Sequence, residues 1–444
     1  MSNPEALLRV LICLVAGIAV IVLLTAKFRV HAFFALIISC FLVGLGVGLP
    51  VTEVLTVVKD GFGNILKSLG LLIVLGTTLG AILEHTGCTR VMANAILKVV
   101  GEKYASLAMS LTGFIVGLPI FCDSGYIVLS GLNRSLAKTT GVSLVIMSTS
   151  LATGLYAVHC MIPPHPGAAA AAGIIGVDFS KLMLTGGLVA IPAMIAGSLW
   201  AGYAGRKIPQ LAADEVVDIS ADQLQPSVIK AFLPVVVPIL LIALKSFFAV
   251  APGNSSKIIS LLLAVGDPVI ALAIGVLLAF NAMQSWKKDT VAKLLQDGAE
   301  KAGGILVIIG AGGAFGAVLA ATKIGTHLSE ALPLASFGIF FPFLFTFILK
   351  TAQGSSTVAI ITAASIILPL LHALGLDTEK GHLLCVLSMG AGSMMISHAN
   401  DAYFWVITKF SGLEMKTMLK VYSLATVCMG LTALAMVYVV SYLL

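Results

Sequence analysis
Charged side chains are scarce in this sequence. Asp, Glu, Lys and Arg make up 10% of the 444 residues, against 59% hydrophobic ones. A soluble core does not need that much apolar sequence, whereas a bundle of membrane-spanning helices does. The marks of several function classes are missing too. The seven cysteines, Cys13, Cys40, Cys385 and Cys428 among them, are scattered and form no C-x-x-C pair, which argues against disulfides and zinc clusters. No H-E-x-x-H occurs. The glycine runs "GTTLGA" and "GAGGAFGA" sit in apolar stretches without the G-K-[ST] of a phosphate loop, so close helix packing explains them better than nucleotide binding. Without a Walker motif, transport would draw on an ion gradient. No cofactor or resident metal is expected. The first apolar run lacks an A-x-A-like cleavage site and a second run follows at once, so it reads as a span rather than a signal peptide. The net charge of +6 fits loop lysines that set membrane orientation, not nucleic-acid binding.

What is present is a duplication. The polar segment Gly205–Ser227 separates a first unit, residues 1–204, from a second, residues 228–444, as a linker over 205–227. At a constant offset of 236, "GTTLGAILEHT" lies over "GGAFGAVLAAT" and "GVDFSKLM" over "GLEMKTML". Each unit opens with two apolar runs, Leu7–Thr25 and His31–Leu49 against Ala231–Ala249 and Ile258–Phe280. Basic residues at Lys27–Arg29, in "WKKDTVAKLL" and at the start of the linker belong in the cytoplasm. That requires units of opposite orientation, with both termini outside. The expected fold is an all-α polytopic membrane protein of two inverted repeats, each with a re-entrant hairpin and a discontinuous helix.

Each repeat breaks its helices twice, at matched places. "GLPIFCDSGY" and "KTAQGSSTVA" mark the hairpin tips, and "HCMIPPHPG" and "SHANDAYFW" mark the discontinuous helices. Irregular backbone at membrane depth lines cavities, and half-helix N-termini attract anions. Asp123, a carboxylate at a tip with no basic residue near in sequence, is a proton carrier or a solvated cap. Asp401 is the second proton candidate, one that would titrate as a unit with His398 were the two paired. His159 and His165 flank Pro163 and Pro164, and are able to bind a carboxylate, relay protons or satisfy freed carbonyls. Gln353, Ser355, Ser356 and Thr357 around Gly354 offer donors and acceptors to a hydroxylated anion, or serve as plain caps. Lys350 either pairs with a substrate carboxylate or snorkels to the interface. At least one of His398, Asn400 and Asp401 should touch the substrate or the coupling proton.

The stretches "GxPIFCDSGY", "HxxxPPHPG", "AQGSSTVA" and "SHANDAYFW" resemble the signatures of the gluconate permease family of proton symporters, within a superfamily of inverted-repeat ion transporters. The resemblance covers essentially the whole chain. It implies a scaffold, a mobile transport domain and a homodimer in the inner membrane. It also implies proton-coupled import of gluconate or a related small hydroxylated monocarboxylate, with D-serine as the alternative cargo. Departures at Cys122, Ser124 and Ala402–Tyr403 fall where substrate should lie, which places Ser124 and Gly125 in the binding site. The expected partners are a small anion, a proton and membrane lipid, with no nucleic acid. A competing reading is an intramembrane metal enzyme with His159, His165, His398 and Asp401 as ligands, and a third is a channel.

Overall fold
The computed structural model of the protein describes residues 4–101, 104–208, 226–249, 257–283, 286–323, 334–398 and 401–443. Among these there is no strand. The first repeat contains α1 (Pro4–Val22), α2 (Ala32–Val47), α3 (Val51–His85), α4 (Cys88–Val100), α5 (Ala105–Gly117), α6 (Cys122–Thr140), α7 (Leu144–Met161), α8 (Pro166–Ile175) and α9 (Phe179–Gly205). The second contains α10 (Val228–Ala249), α11 (Lys257–Val265), α12 (Pro268–Phe280), α13 (Lys288–Ala321), α14 (Phe340–Gln353), α15 (Ser356–Ile367), α16 (Glu379–Met394), α17 (Ala402–Ser411) and α18 (Met415–Leu443). Among the described residues seven stretches are long and apolar enough to cross a bilayer, and the protein is a multi-pass membrane protein.

The offset of 236 reappears in the helices themselves. Shifted by it, α8 coincides with α17, and α9 begins where α18 begins. Both short helices end on a glycine in the left-handed region, Gly176 and Gly412, where a side chain would be strained. Equivalent helices also run antiparallel. In α3 and α13, Gly61 meets Gly313 and Ala314, while Thr77 donates to the Gly298 carbonyl at 2.8 Å. In α7 and α16, Tyr156 donates to the Ser393 carbonyl at 3.0 Å, while Met161 lies against Gly390. Antiparallel packing of repeat-equivalent helices is what an inverted repeat requires, because its two-fold axis lies in the membrane plane.

One expected run is divided. Ile258–Phe280 forms α11 and α12 rather than one helix, because Asp267 caps the Val269 amide at 3.0 Å and Pro268 takes the first helical position. The hairpins α5–α6 and α14–α15 occupy the places the motifs mark, turning at Leu118–Phe121 and Gly354–Ser355. Lys103 and most of the linker lie outside the described residues.

Glycines set the distance between these elements. A side-chain carbon on Gly80 of α3 would come within 2.8 Å of the Pro119 carbonyl at the first tip, and one on Gly76 would crowd Pro164 at 3.2 Å. The equivalents Gly312 and Gly316 of α13 make the same room for Ile361 and Ser365 of α15. The glycine runs are therefore seats for the hairpins and the broken helix.

The tightest seat is Gly154 of α7, where an added carbon would fall 2.0 Å from the Ser110 carbonyl of α5. Gly154→Val should destabilise the protein by about 3 kcal/mol or more, seen as a lower melting temperature of purified protein in detergent. Gly70→Ala, at a position with nothing within 4 Å, should leave that temperature unchanged.

Candidate functional site
The first discontinuous helix, α7–α8, stops at Met161 because Pro163, Pro164 and Pro166 remove three backbone donors within four residues. Both hairpin tips meet this break. His165, the residue preceding α8, donates from Nε2 to the Gly117 carbonyl at 2.7 Å, at the end of α5. His159, in the last turn of α7, lies 3.3 Å through Nε2 from Thr357 Oγ1, at the start of α15. His165 is buried and His159 half-buried, and each keeps an inward Nδ1 without a partner. The two rings are 5.1 Å apart, and His159 stacks on Tyr156 at 6.4 Å.

The second discontinuous helix, α16–α17, is held by a buried ion pair. Lys350 Nζ of α14 lies 3.2 Å from Asp401 Oδ2 and donates to the Ile396 carbonyl at 3.1 Å. The lysine is fully buried. Ile396 has a φ of +42°, uncommon for a branched side chain, and the bond from Lys350 holds its carbonyl in place. Asp401 is saturated with donors: Ser397 Oγ at 2.5 Å, Lys350, and the Tyr403 amide at 3.0 Å, which it accepts as the cap of α17. Ser423 and Thr426 of α18 fix the Ser397 backbone in turn.

Four helices start in this region, so four positive dipole ends gather there. They form two pairs related by the repeat. In one, α8 and α15 touch so closely that a carbon on Gly167 would sit 3.3 Å from Thr357 Cα. In the other, α6 and α17 bring Tyr126 and Tyr403 to 6.2 Å. Tyr403 also stacks on Tyr156 at 5.7 Å, which links the two pairs through one line of rings. The pairs differ in charge. Asp123 stands in the first turn of α6 and Asp401 caps α17, while the starts of α8 and α15 carry no carboxylate.

A model of the GntP family of permeases matches residues 9–443. The chain belongs to that family. It is 33% identical to a gluconate permease of Pseudomonas aeruginosa over all of this chain and 99% of the relative. It is 30% identical to the D-serine transporter DsdX of Escherichia coli, over 97% of this chain and 98% of the relative. Among solved structures it resembles the YdaH transporter of Alcanivorax borkumensis, with a TM-score of 0.63 at 15% identity, covering 88% of this chain and 89% of that one. It also resembles MtrF of Neisseria gonorrhoeae, with a TM-score of 0.62 at 15% identity over 94% and 96% of the two chains. The relatives named are permeases and transporters, and the likeness to the two structures is one of fold.

This GntP permease brings most of the residues expected from sequence to one place, with some redistribution of tasks. Lys350 does not snorkel, because Asp401 and the Ile396 carbonyl hold it inside. His398 does not pair with Asp401; its Nε2 donates to the Thr351 carbonyl at 3.3 Å. Gly125 faces Leu155 of α7 and is a packing position, while Ser124 beside it is half-buried. Gly354 makes the second turn with a φ of +82°, and Ser355 caps α15 by accepting from the Val358 amide. Ser356 is buried at its start. Gln353 is buried with neither amide atom bonded. Asn400 lies outside the described residues. Among the described residues no three metal-binding side chains converge. Sequence reasoning missed Ser397, Tyr126 and Tyr156; tyrosines inside otherwise apolar helices were the available signal.

Breaking a buried ion pair from one side leaves an uncompensated charge. Lys350→Met and Asp401→Asn should each lower stability by roughly 3–5 kcal/mol. The double variant should lose clearly less than the sum, as measured by thermal unfolding of the detergent-purified protein.

Proposed function
We propose that this permease imports gluconate or a related small hydroxylated monocarboxylate by proton symport with alternating access. The observation that carries the reading is the unequal charge of the two helix-start pairs. An anion fits where α8 and α15 meet, because their dipole ends are not already matched by a protein carboxylate. His159, Thr357 and the amides opening the two helices would take the substrate carboxylate. The unbonded amide of Gln353 and the open Nδ1 atoms of His159 and His165 would serve its hydroxyls.

The same logic separates the two aspartates. Asp401 is neutralised by Lys350 and tied by two further donors, which suits a fixed counter-charge. Asp123 has no cation within ion-pair distance among the described residues, and its nearest polar side-chain neighbour is Cys122 Sγ at 3.9 Å. It is therefore the residue we assign to the proton. Binding one anion and one proton leaves the site's net charge unchanged, so the loaded form crosses at no added electrostatic cost. Access requires the tips to part from the α7–α8 break, and we assign the hairpins and broken helices to the moving domain. The D-serine reading rests on the DsdX relative, and an amino acid would need a partner for its ammonium, for which Asp123 is the candidate.

Uptake of labelled gluconate into proteoliposomes should rise with an inward proton gradient and fall with competing sugar acids. Uptake that ignores the gradient would sink the symport assignment, and competition by D-serine alone would move the cargo. Thr357→Val and His159→Phe should each raise KM by about tenfold or more, the worth of a hydrogen bond to a charged group. Asp123→Asn should abolish proton-driven accumulation while leaving exchange of internal for external gluconate intact.

A further inference from the structure
One cluster of buried polar groups is not used by the substrate site. It lies where α6, α7 and α17 pack, beyond Asp123 toward the end of α6. Asp123 and Tyr126 stand three residues apart on the helix and so share a face, which continues to Asn133. The Tyr126 hydroxyl is fully buried beside those of Ser148 and Ser411, with no hydrogen bond of ordinary geometry to either. Asn133 Nδ2 donates to Ser148 Oγ at 3.0 Å, but its Oδ1 is buried without a partner. The far end is closed by Arg134, whose guanidinium donates twice to the Phe410 carbonyl of α17, at 2.7 and 3.0 Å. Beyond it Ser135, Lys138 and Thr139 are exposed.

Leaving polar atoms unbonded in a membrane protein's interior is costly, so these groups need a reason. The repeat supplies a control. At the offset of 236, Ser148 and Ser411 correspond to Leu384 and Ile175; α6 and α15 start 234 residues apart, which sets Thr357, Ile360, Ile367 and Leu368 against Asp123, Tyr126, Asn133 and Arg134. The mirrored interface, with α8 entering as Ala168–Ala172, is apolar at all of these places but Thr357, the counterpart of Asp123 itself. The polar groups are thus not demanded by the architecture.

We propose that this file is the route by which the proton leaves Asp123 for the cytoplasm, separate from the path of the substrate. It rests on the assignment of the proton to Asp123. The under-bonded oxygens of Tyr126 and Asn133 hold water molecules that complete the chain, since each needs a partner and a buried water makes two to four bonds. A proton passes from the Asp123 carboxyl to the first acceptor. Each hydroxyl or water that accepts one releases its own to the next, so only Asp123 ends changed and the proton emerges in bulk water. The distance from Asp123 to Arg134 along α6 is about 16 Å, at 1.5 Å per residue. The positive charge of Arg134 raises the cost of an unaccompanied proton at the mouth and so restricts leak. The basic residues Arg134 and Lys138 place this end of α6 on the cytoplasmic side.

The test uses the full chain in proteoliposomes and two readouts with labelled gluconate: net uptake driven by a proton gradient, and exchange at equal pH. Tyr126→Phe and Asn133→Leu should reduce net uptake tenfold or more while exchange stays within twofold of the parent. Net uptake should also slow more in deuterated water in these variants than in the parent. Unchanged net uptake in both overturns the route. Exchange also reports folding; should Asn133→Leu lose it, Tyr126→Phe, which removes a single oxygen, decides the matter. Asp123→Asn keeps the two ideas apart. If it abolishes proton-driven uptake while the file variants do not, only the route fails. If it too leaves proton-driven uptake intact, the assignment of the proton to Asp123 fails first.

Discussion
A helix interrupted inside a bilayer frees backbone groups that have no water to turn to. Every distinctive residue of this permease answers that constraint. His165 takes the Gly117 carbonyl at the end of α5, Lys350 takes that of Ile396, and Asp401 takes the Tyr403 amide. His165 and Lys350 are long enough to reach carbonyls of another segment, whereas Asp401 caps its own helix as a serine or threonine also does. Once such side chains are committed at matched breaks, the helix starts they flank become the strongest fixed dipoles in the molecule.

Symmetry and its violation then divide the labour. The repeat gives two pairs of helix starts in equivalent positions, α8 with α15 and α6 with α17. Substitution made them unlike: Asp401 stands where the first half has His165, and Asp123, second in α6, where α15 has Thr357. One pair is left electropositive, and the other is filled by the protein's own acids. On the proposed reading, an anion and a proton thereby find separate, complementary places.

Much of this was legible in the sequence because the relevant signals are local. Proline and glycine at the breaks, polar residues inside apolar runs, and a constant offset of 236 all survive without coordinates. The hairpins and the inverted halves follow from them. The partnerships did not. Lys350 and Asp401 are 51 residues apart, and nothing in either neighbourhood says that they meet. His398 sits three residues before Asp401, and its proximity suggested a pair that the geometry assigns elsewhere. The tyrosines were hidden by their dual nature, since an apolar ring suits any buried helix face. The break between α11 and α12 was masked by the hydrophobicity on both sides, although Asp267–Pro268 is a sound helix start.

The ion pair between Lys350 and Asp401 exists in only one repeat; the equivalent positions are Phe114 and His165. In a carrier built from two identical inverted halves, the outward-facing and inward-facing forms would be mirror exchanges of one another and equal in energy. A buried ionic clasp in one half removes that degeneracy. Under the alternating access proposed above, the unloaded protein then has a resting side, and the cargo must supply differential binding energy to draw it to the other.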